Sequence, residues 1–488
     1  MVERARVASD FLQLRSAPGS AGNALVAAAE GATAQRRIVP LVILLFWLLV
    51  FEGVLRKWVA PQLSQALFFI RDPVVLLIYA YALHGRVLRR VDPLLQLGLA
   101  FALLALPLAA AQVSLLGNSQ LMSVVIYGWR QYFLYLPLPF IVAATFTEDS
   151  LLRFARHVCV AVIITAPVEL LQFHAPPAAV INRGIAEDER LQFQSFGYTA
   201  GLVRPSGTFT STAGVTELVA SSFALLLAVW LMPGKVRGAA RALLLLGTAA
   251  TATCLALSGS RAAFLHCGIV MLCALLLAAI AREPALRLRA LFFPLTLLTV
   301  LAVLYPIVFP DALAAILSRV SEAHVLESQV SSLGIFGRAL YETTDFLSFL
   351  TRAPLAGYGL GLGGNGRSYF TFADADFLAR ISAESDWSRH IVDLGPIVGA
   401  LFIIYRIAFV CILLGWVLKA TRRLGSAFPL LLFGYVGIGL FYGQLTGHGT
   451  VGGFLWLYLG LCMAACSAAA DEPRATPVPA RARWKFVA

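Results

Sequence analysis

Apolar residues in this chain come in long unbroken runs, and the connections between the runs are short and rich in arginine. A membrane-spanning helix needs roughly 20 mostly apolar residues. By that measure the pattern predicts about twelve spans: 38–57, 66–84, 94–113, 121–145, 153–174, 214–232, 239–257, 260–280, 289–309, 393–418, 427–443 and 451–470. No repeat relates one half of this pattern to the other, which argues against a transporter built on inverted repeats.

The connections set an orientation, because lysine and arginine collect in cytoplasmic loops. With a cytoplasmic N-terminus, the inside segments carry Arg86, Arg89 and Arg90; Arg153 and Arg156; Lys235, Arg237 and Arg241; Arg282, Arg287 and Arg289; and Lys419, Arg422 and Arg423. The outside connections 114–120 and 444–450 have no lysine or arginine, so both termini are expected inside. The first span reads as an uncleaved signal anchor.

The expected organisation is a cytoplasmic segment 1–37, a bundle 38–309 of about nine spans with an outer loop 175–213, a large extracytoplasmic loop 310–392, C-terminal spans 393–470 and a cytoplasmic tail 471–488. Within 310–392, "ALAAILSRV" and "GRALYETTDFLSFL" space their apolar residues as short amphipathic helices do, broken at Pro354 and at "GYGLGLGG".

Composition agrees with an all-α integral membrane protein: of 488 residues 59% are hydrophobic and 13% charged, against roughly 25% charged in soluble domains. The mean hydropathy is +0.80. The net charge of +12 would suggest nucleic acid in a soluble chain. Here the basic residues punctuate apolar runs, so the charge reports topology and a nucleic-acid partner is not expected. The seven cysteines all lie in apolar segments with no ligand set around them, which reads as packing rather than disulfides or a metal site.

Ionisable residues inside spans face the protein interior or water and mark functional sites by default. Most of those here sit in the outer half of their spans: Glu52, Arg56, Lys57, Arg71, Asp72, Arg130, Glu169, His174, Glu217, Arg261 and His266. Arg406 alone is near mid-membrane. The clustering predicts a cationic, outward-facing cavity suited to a polyanionic lipid headgroup. Simpler roles compete: Arg71 beside Asp72 as an ion pair, Arg56 and Lys57 snorkelling to headgroups, His266 and His448 as packing residues. Arg130 and Arg261 stand out because neither has an acidic residue three or four positions away.

Four motifs follow in order: "RPSGTFTSTAGVTE" at 204–217, "SGSRA" at 258–262, "GYGLGLGGNG" at 357–366 and "AESDWSRHIVDLGPIVGALFIIYR" at 383–406. The glycine run is no P-loop, since no Lys-Ser/Thr follows it. Together the motifs resemble the membrane family of O-antigen ligases and Wzy-type polysaccharide polymerases. "FEGVLRKWVAPQLSQALFFIRDPVVLLIY", starting at Phe51, is similar to a subgroup of bacterial exopolysaccharide polymerases.

The resemblance implies a GT-C-like fold and a glycosyltransferase that needs no metal or other cofactor. It would act on a polyprenyl-diphosphate-linked oligosaccharide at the outer face of the bacterial cytoplasmic membrane, among membrane lipids and other exopolysaccharide assembly proteins. Family arginines that bind the diphosphate correspond to Arg204 and Arg261, and Arg130 is a third candidate from its position alone. Many ligases carry a His-Asn pair about eleven residues before the glycine that opens the next span. Counting back from Gly395 gives Glu384 and Ser385 instead, so Glu384, Asp386 and His390 are the candidate bases. A polymerase is expected first. A ligase that delivers glycan to a lipid A core or protein, or a flippase for the same lipid, remain alternatives.

Overall fold

The computed structural model describes residues 20–88, 91–116, 121–185, 202–232, 234, 236–330, 337, 343–364, 381, 383 and 385–467. Among these the chain is helical throughout: α1 (Ser20–Val54), α2 (Asp72–His84), α3 (Pro93–Leu116), α4 (Leu121–Phe133), α5 (Leu138–Thr145), α6 (Glu148–His174), α7 (Thr212–Leu231), α8 (Ala239–Leu257), α9 (Arg261–Ile280), α10 (Pro284–Val308), α11 (Pro310–Val330), α12 (Phe346–Leu350), α13 (Asp386–Leu424), α14 (Phe428–Phe441) and α15 (Gly449–Ser467). Ten helical segments among the described residues are long and apolar enough to cross a membrane.

The difference from about twelve has local causes. The run 121–145 is not one helix, because a turn separates α4 from α5 where Pro137 and Pro139 remove backbone donors that a continuous helix would need. The run 427–443 forms α14, whose 14 residues reach about 21 Å at 1.5 Å per residue, short of the ~30 Å hydrocarbon core. It is a buried internal helix.

Elsewhere capping residues set the boundaries. The side chains of Thr147, Ser260 and Ser385 accept hydrogen bonds from the first turns of α6, α9 and α13, satisfying donors that have no intrahelical partner. Gly425, in the left-handed region at φ 61°, closes α13.

Helices α7, α14 and α15 form the centre of the bundle. In its most apolar stretch α7 is 89% buried and α15 83%, whereas α10 is only 6% buried and presents Phe292, Leu295, Leu298 and Ile307 outward. With apolar residues around its whole circumference, α10 suits a lipid-facing position. Helices α6, α8 and α9 pack beside α7, while α1, α5 and α13 pack on α15.

Helix α13 is kinked at Gly395 (φ 82°, ψ 169°), dividing a short segment 386–394 from the membrane helix. Within 310–392 the described residues form α11 and the five-residue α12, and residues 338–342 of the stretch "GRALYETTDFLSFL" lie outside the described residues. The glycine run packs on protein backbone. A Cβ on Gly128 of α4 would come within 2.4 Å of Leu360 and Gly361, and one on Gly395 within 2.1 Å of the Leu355 carbonyl oxygen.

Candidate functional site

The segment 202–211 turns back into the bundle before α7. Gly207 occupies the left-handed region at φ 56°, which glycine adopts without steric cost. The turn is held from two sides. Gln172 Oε1 accepts from the Gly207 amide (2.7 Å), and Lys57 Nζ donates to Ser206 Oγ and to the Gly207 carbonyl oxygen (3.0 Å each). Gly53 of α1 lies so close to Thr208 and Phe209 that a Cβ there would approach their backbone to 2.3 Å. Lys57 is 1% exposed and Arg56 4%, so neither snorkels to the membrane surface as the sequence suggested.

This turn delivers Arg204 to the Ser258–Ser260 connection between α8 and α9. Arg204 Nε donates to the Ser258 carbonyl oxygen (3.0 Å), and Arg319 Nη1 from α11 donates to the Gly259 carbonyl oxygen (2.9 Å). Arg261 follows directly as the first residue of α9. Three guanidinium groups from separate parts of the chain thus gather around one turn, and all three are half-buried.

Their charges act against one another. Burial, then the charges of Arg319 and Arg261, push Arg204 down to about 9, and burial with the charge of Arg261 lowers Arg319. Guanidinium does not give up its proton readily in proteins, so the shift expresses an energetic cost that an anion would relieve. The site also lies at the N-terminus of α9, whose backbone amides and dipole favour negative charge.

Of the sequence candidates, Arg204 and Arg261 therefore meet, and Arg130 does not join them. Arg130 Nε and Nη2 fork onto the two oxygens of Asp72 (2.6 Å each), and its guanidinium lies 4.9 Å and 5.1 Å from the ring centroids of Phe68 and Phe69. Arg71 does not pair with its neighbour Asp72 as its position suggested. It reaches Glu52 (2.8 Å), which also holds Arg56 (2.8 Å).

Glu384 lies outside the described residues. The other candidate bases, Asp386 and His390, are 1% and 0% exposed and belong to a closed network. Asp386 Oδ1 accepts from Arg389 Nη1 (3.0 Å) and Thr446 Oγ1 (2.9 Å). Its Oδ2 accepts from Arg406 Nη1 (2.6 Å) and the amides of Leu445 (3.0 Å) and Thr446 (3.3 Å). An ionised carboxylate has about four lone-pair sites, and donors already fill this one. Asp386 cannot accept an acceptor's proton without losing bonds that hold the fold.

The same logic orients His390. Arg406 Nη1 donates to His390 Nε2 (2.7 Å), so Nδ1 carries the ring proton and gives it to Tyr132 Oη (2.9 Å). Tyr132 then donates to Asp393 Oδ2 (3.0 Å), whose Oδ1 accepts from the Gly363 amide (2.7 Å). The chain of bonds fastens the glycine run to α4 and α13.

Arg406, the one deep charge, also donates from Nε to the Leu440 carbonyl oxygen (2.9 Å) and from Nη2 to that of Gly443 (2.9 Å). It caps the C-terminus of α14, whose last carbonyls have no intrahelical donors.

Sequence reasoning passed over two further features. Arg319, within "ALAAILSRV", drew no reading of its own from the sequence, and only folding brings it to Gly259. His448 was read as a turn residue, yet its Nε2 pairs with Ser211 Oγ (3.1 Å), in the turn that carries Arg204. Among the described residues no group of three or more His, Cys, Asp or Glu could hold a metal ion. No protein-family model matches this chain, and no curated protein matches it either.

Proposed function

We propose that this chain is a glycosyltransferase that extends a glycan carried on a polyprenyl diphosphate, in the manner of a Wzy-type polymerase. The observation that carries the reading is the convergence of Arg204, Arg261 and Arg319 on the Ser258–Ser260 turn. With α4 and α5 taken together as one broken crossing, the arginine-rich connections assign this turn to the outer end of the bundle. Guanidinium binds phosphate oxygens in a bidentate fork. A diphosphate offers enough oxygens for several arginines, and it becomes more negative as it leaves the sugar. Donors that strengthen as that charge grows lower the barrier, by about 3–4 kcal/mol each where such groups have been removed.

On this reading the acceptor is another carrier-linked repeat unit, extended through a sugar hydroxyl; the motif order is common to polymerases and ligases. A flippase for the same lipid would want charge spread across the membrane. Here the deep guanidinium, Arg406, is sealed against Asp386 and the end of α14, which disfavours a charged path.

The test is an in vitro reaction of the purified protein with a lipid-linked repeat unit. A ladder of longer lipid-linked products supports the polymerase. Transfer that appears only when a lipid A core or protein acceptor is added overturns it in favour of a ligase. Arg261→Lys, which keeps the charge but loses the fork, is expected to remove most of the activity while the protein still inserts in membranes.

A further inference from the structure

We infer that Ser211 and His448 are the proton-accepting pair for this transfer, with Ser211 facing the acceptor hydroxyl and His448 taking the proton. The inference rests on the transferase reading and answers the question that Asp386 and His390 leave open once their side chains are seen to be closed in.

The geometry has four parts. Ser211 stands at the N-cap of α7, the position where a serine ordinarily accepts from the helix's own amides. Its side chain makes no cap bond and pairs with His448 Nε2 (3.1 Å). Both residues are half-buried, so the pair is not sealed like Asp386 and His390. The other ring nitrogen, His448 Nδ1, is buried without a hydrogen-bond partner, which leaves the Ser211 bond as the ring's link to its surroundings.

Helix α7 links the pair to the arginine turn. Thr216 of α7 donates to Ser260 Oγ (2.8 Å), next to Arg261. Ser211 and Thr216 are about 7.5 Å apart along the helix axis.

Arginines surround the ring. The turn that carries His448 packs on Arg389, whose Nη1 lies where a Cβ on Gly447 would be, and on Arg71, which donates to the Gly449 carbonyl oxygen (3.2 Å). Burial and the charges of Arg71, Arg389 and Arg56 lower His448 to about 4, so the resting imidazole is neutral near pH 7 with a lone pair on Nε2 toward Ser211, and the same charges raise the cost of the imidazolium, which only the negative charge growing on the leaving diphosphate can offset.

In the reaction the acceptor hydroxyl passes its proton to Ser211 Oγ as the Ser211 proton moves to His448 Nε2. The acceptor oxygen forms the new bond to the donor sugar's anomeric carbon. The bond from that carbon to the diphosphate breaks, its electron pair stays on the phosphate oxygen, and polyprenyl diphosphate leaves. One imidazolium and one added negative charge on the diphosphate are formed, so protons and charge balance.

The experiment uses full-length protein in nanodiscs, a lipid-linked repeat unit as donor and acceptor, and separate measurements of donor binding, KM and kcat. His448→Gln keeps a group able to bond Ser211 but cannot act as a base. It is expected to lower kcat at least about 100-fold with donor binding within about threefold of wild type. Ser211→Ala is expected to lower kcat in the same way. Added imidazole is expected to restore part of the activity of His448→Ala, which a purely structural histidine would not allow.

A kcat for His448→Gln within about threefold of wild type overturns the inference, as does a parallel fall in donor binding. If wild type itself neither binds nor transfers the lipid-linked glycan, the transferase reading fails first. If wild type works and His448→Gln works equally well, only the inference fails.

Discussion

Arg130 and Asp72 form a two-pronged pair across 58 positions of sequence, with both carboxylate oxygens engaged at 2.6 Å and two phenylalanine rings against the guanidinium. Their side chains are 8% and 17% exposed, so little water is left to solvate either partner alone. Breaking a buried pair costs about 3–5 kcal/mol, mainly because the remaining charge is uncompensated. Arg130→Ala and Asp72→Ala are each expected to lower the melting temperature of the purified protein, and the double variant to be more stable than the sum of the two losses predicts. Additive losses would show that the pair is not coupled. Donor binding should survive in the double variant, in contrast to Arg204→Ala.

The network around Asp386 gives a sharper structural prediction. Arg406→Leu leaves Asp386 without its shortest partner and exposes the end of α14, and a loss of about 3–5 kcal/mol is expected. Little monodisperse protein should be recovered by gel filtration. Tyr132→Phe removes one hydroxyl from the chain of bonds and is expected to cost about 1–3 kcal/mol while leaving kcat within a few fold. A large selective fall in kcat for Tyr132→Phe, at unchanged stability, would bring His390 back as a catalytic group.

How much of this was legible in the sequence follows the range of each interaction. Spans were readable because length and apolarity are properties of a single segment. The break after Phe133 was visible only as two prolines inside an apolar run, where a kinked single helix reads the same way. Ion pairs were misassigned because neighbours were the only partners in view. Arg71 turned from Asp72 to Glu52, and Arg130, which lacks an acid within one turn, found Asp72 on another helix. The Ser-Gly-Ser turn and Arg204 were recognisable as motifs. Arg319 and the bond from Ser211 to His448 depend on how loops fold back, and no periodicity encodes that.

Gly395 tests the packing of the large loop on α13. Its φ of 82° is unfavourable for any residue with a Cβ, and that atom would lie 2.1 Å from the Leu355 carbonyl oxygen. Strain of this kind costs about 1–3 kcal/mol, and the overlap adds to it. Gly395→Ala is therefore expected to lower the melting temperature and to increase protease cleavage between 345 and 364. An alanine variant as stable and as protease-resistant as wild type would mean that the loop does not pack at this kink in the membrane.

The electrostatic setting of His448 predicts a dependence of stability on pH. Burial, then the charges of Arg71 before α2, Arg389 of α13 and Arg56 just after α1, lower its proton affinity to about 4, while Glu52 of α1 is taken up by Arg56 and Arg71. In the unfolded chain the same imidazole protonates near 6.5. Between those values the unfolded state binds more protons than the folded state, so stability contributed by this group is full above about pH 6.5 and is lost as pH falls toward 4. Wild type should lose more melting temperature between pH 7 and pH 4.5 than His448→Gln, since carboxylates titrate in both and cancel in the comparison. Equal slopes would mean that the folded protein lets His448 protonate as freely as the unfolded chain does, and that the three arginines do not act on it.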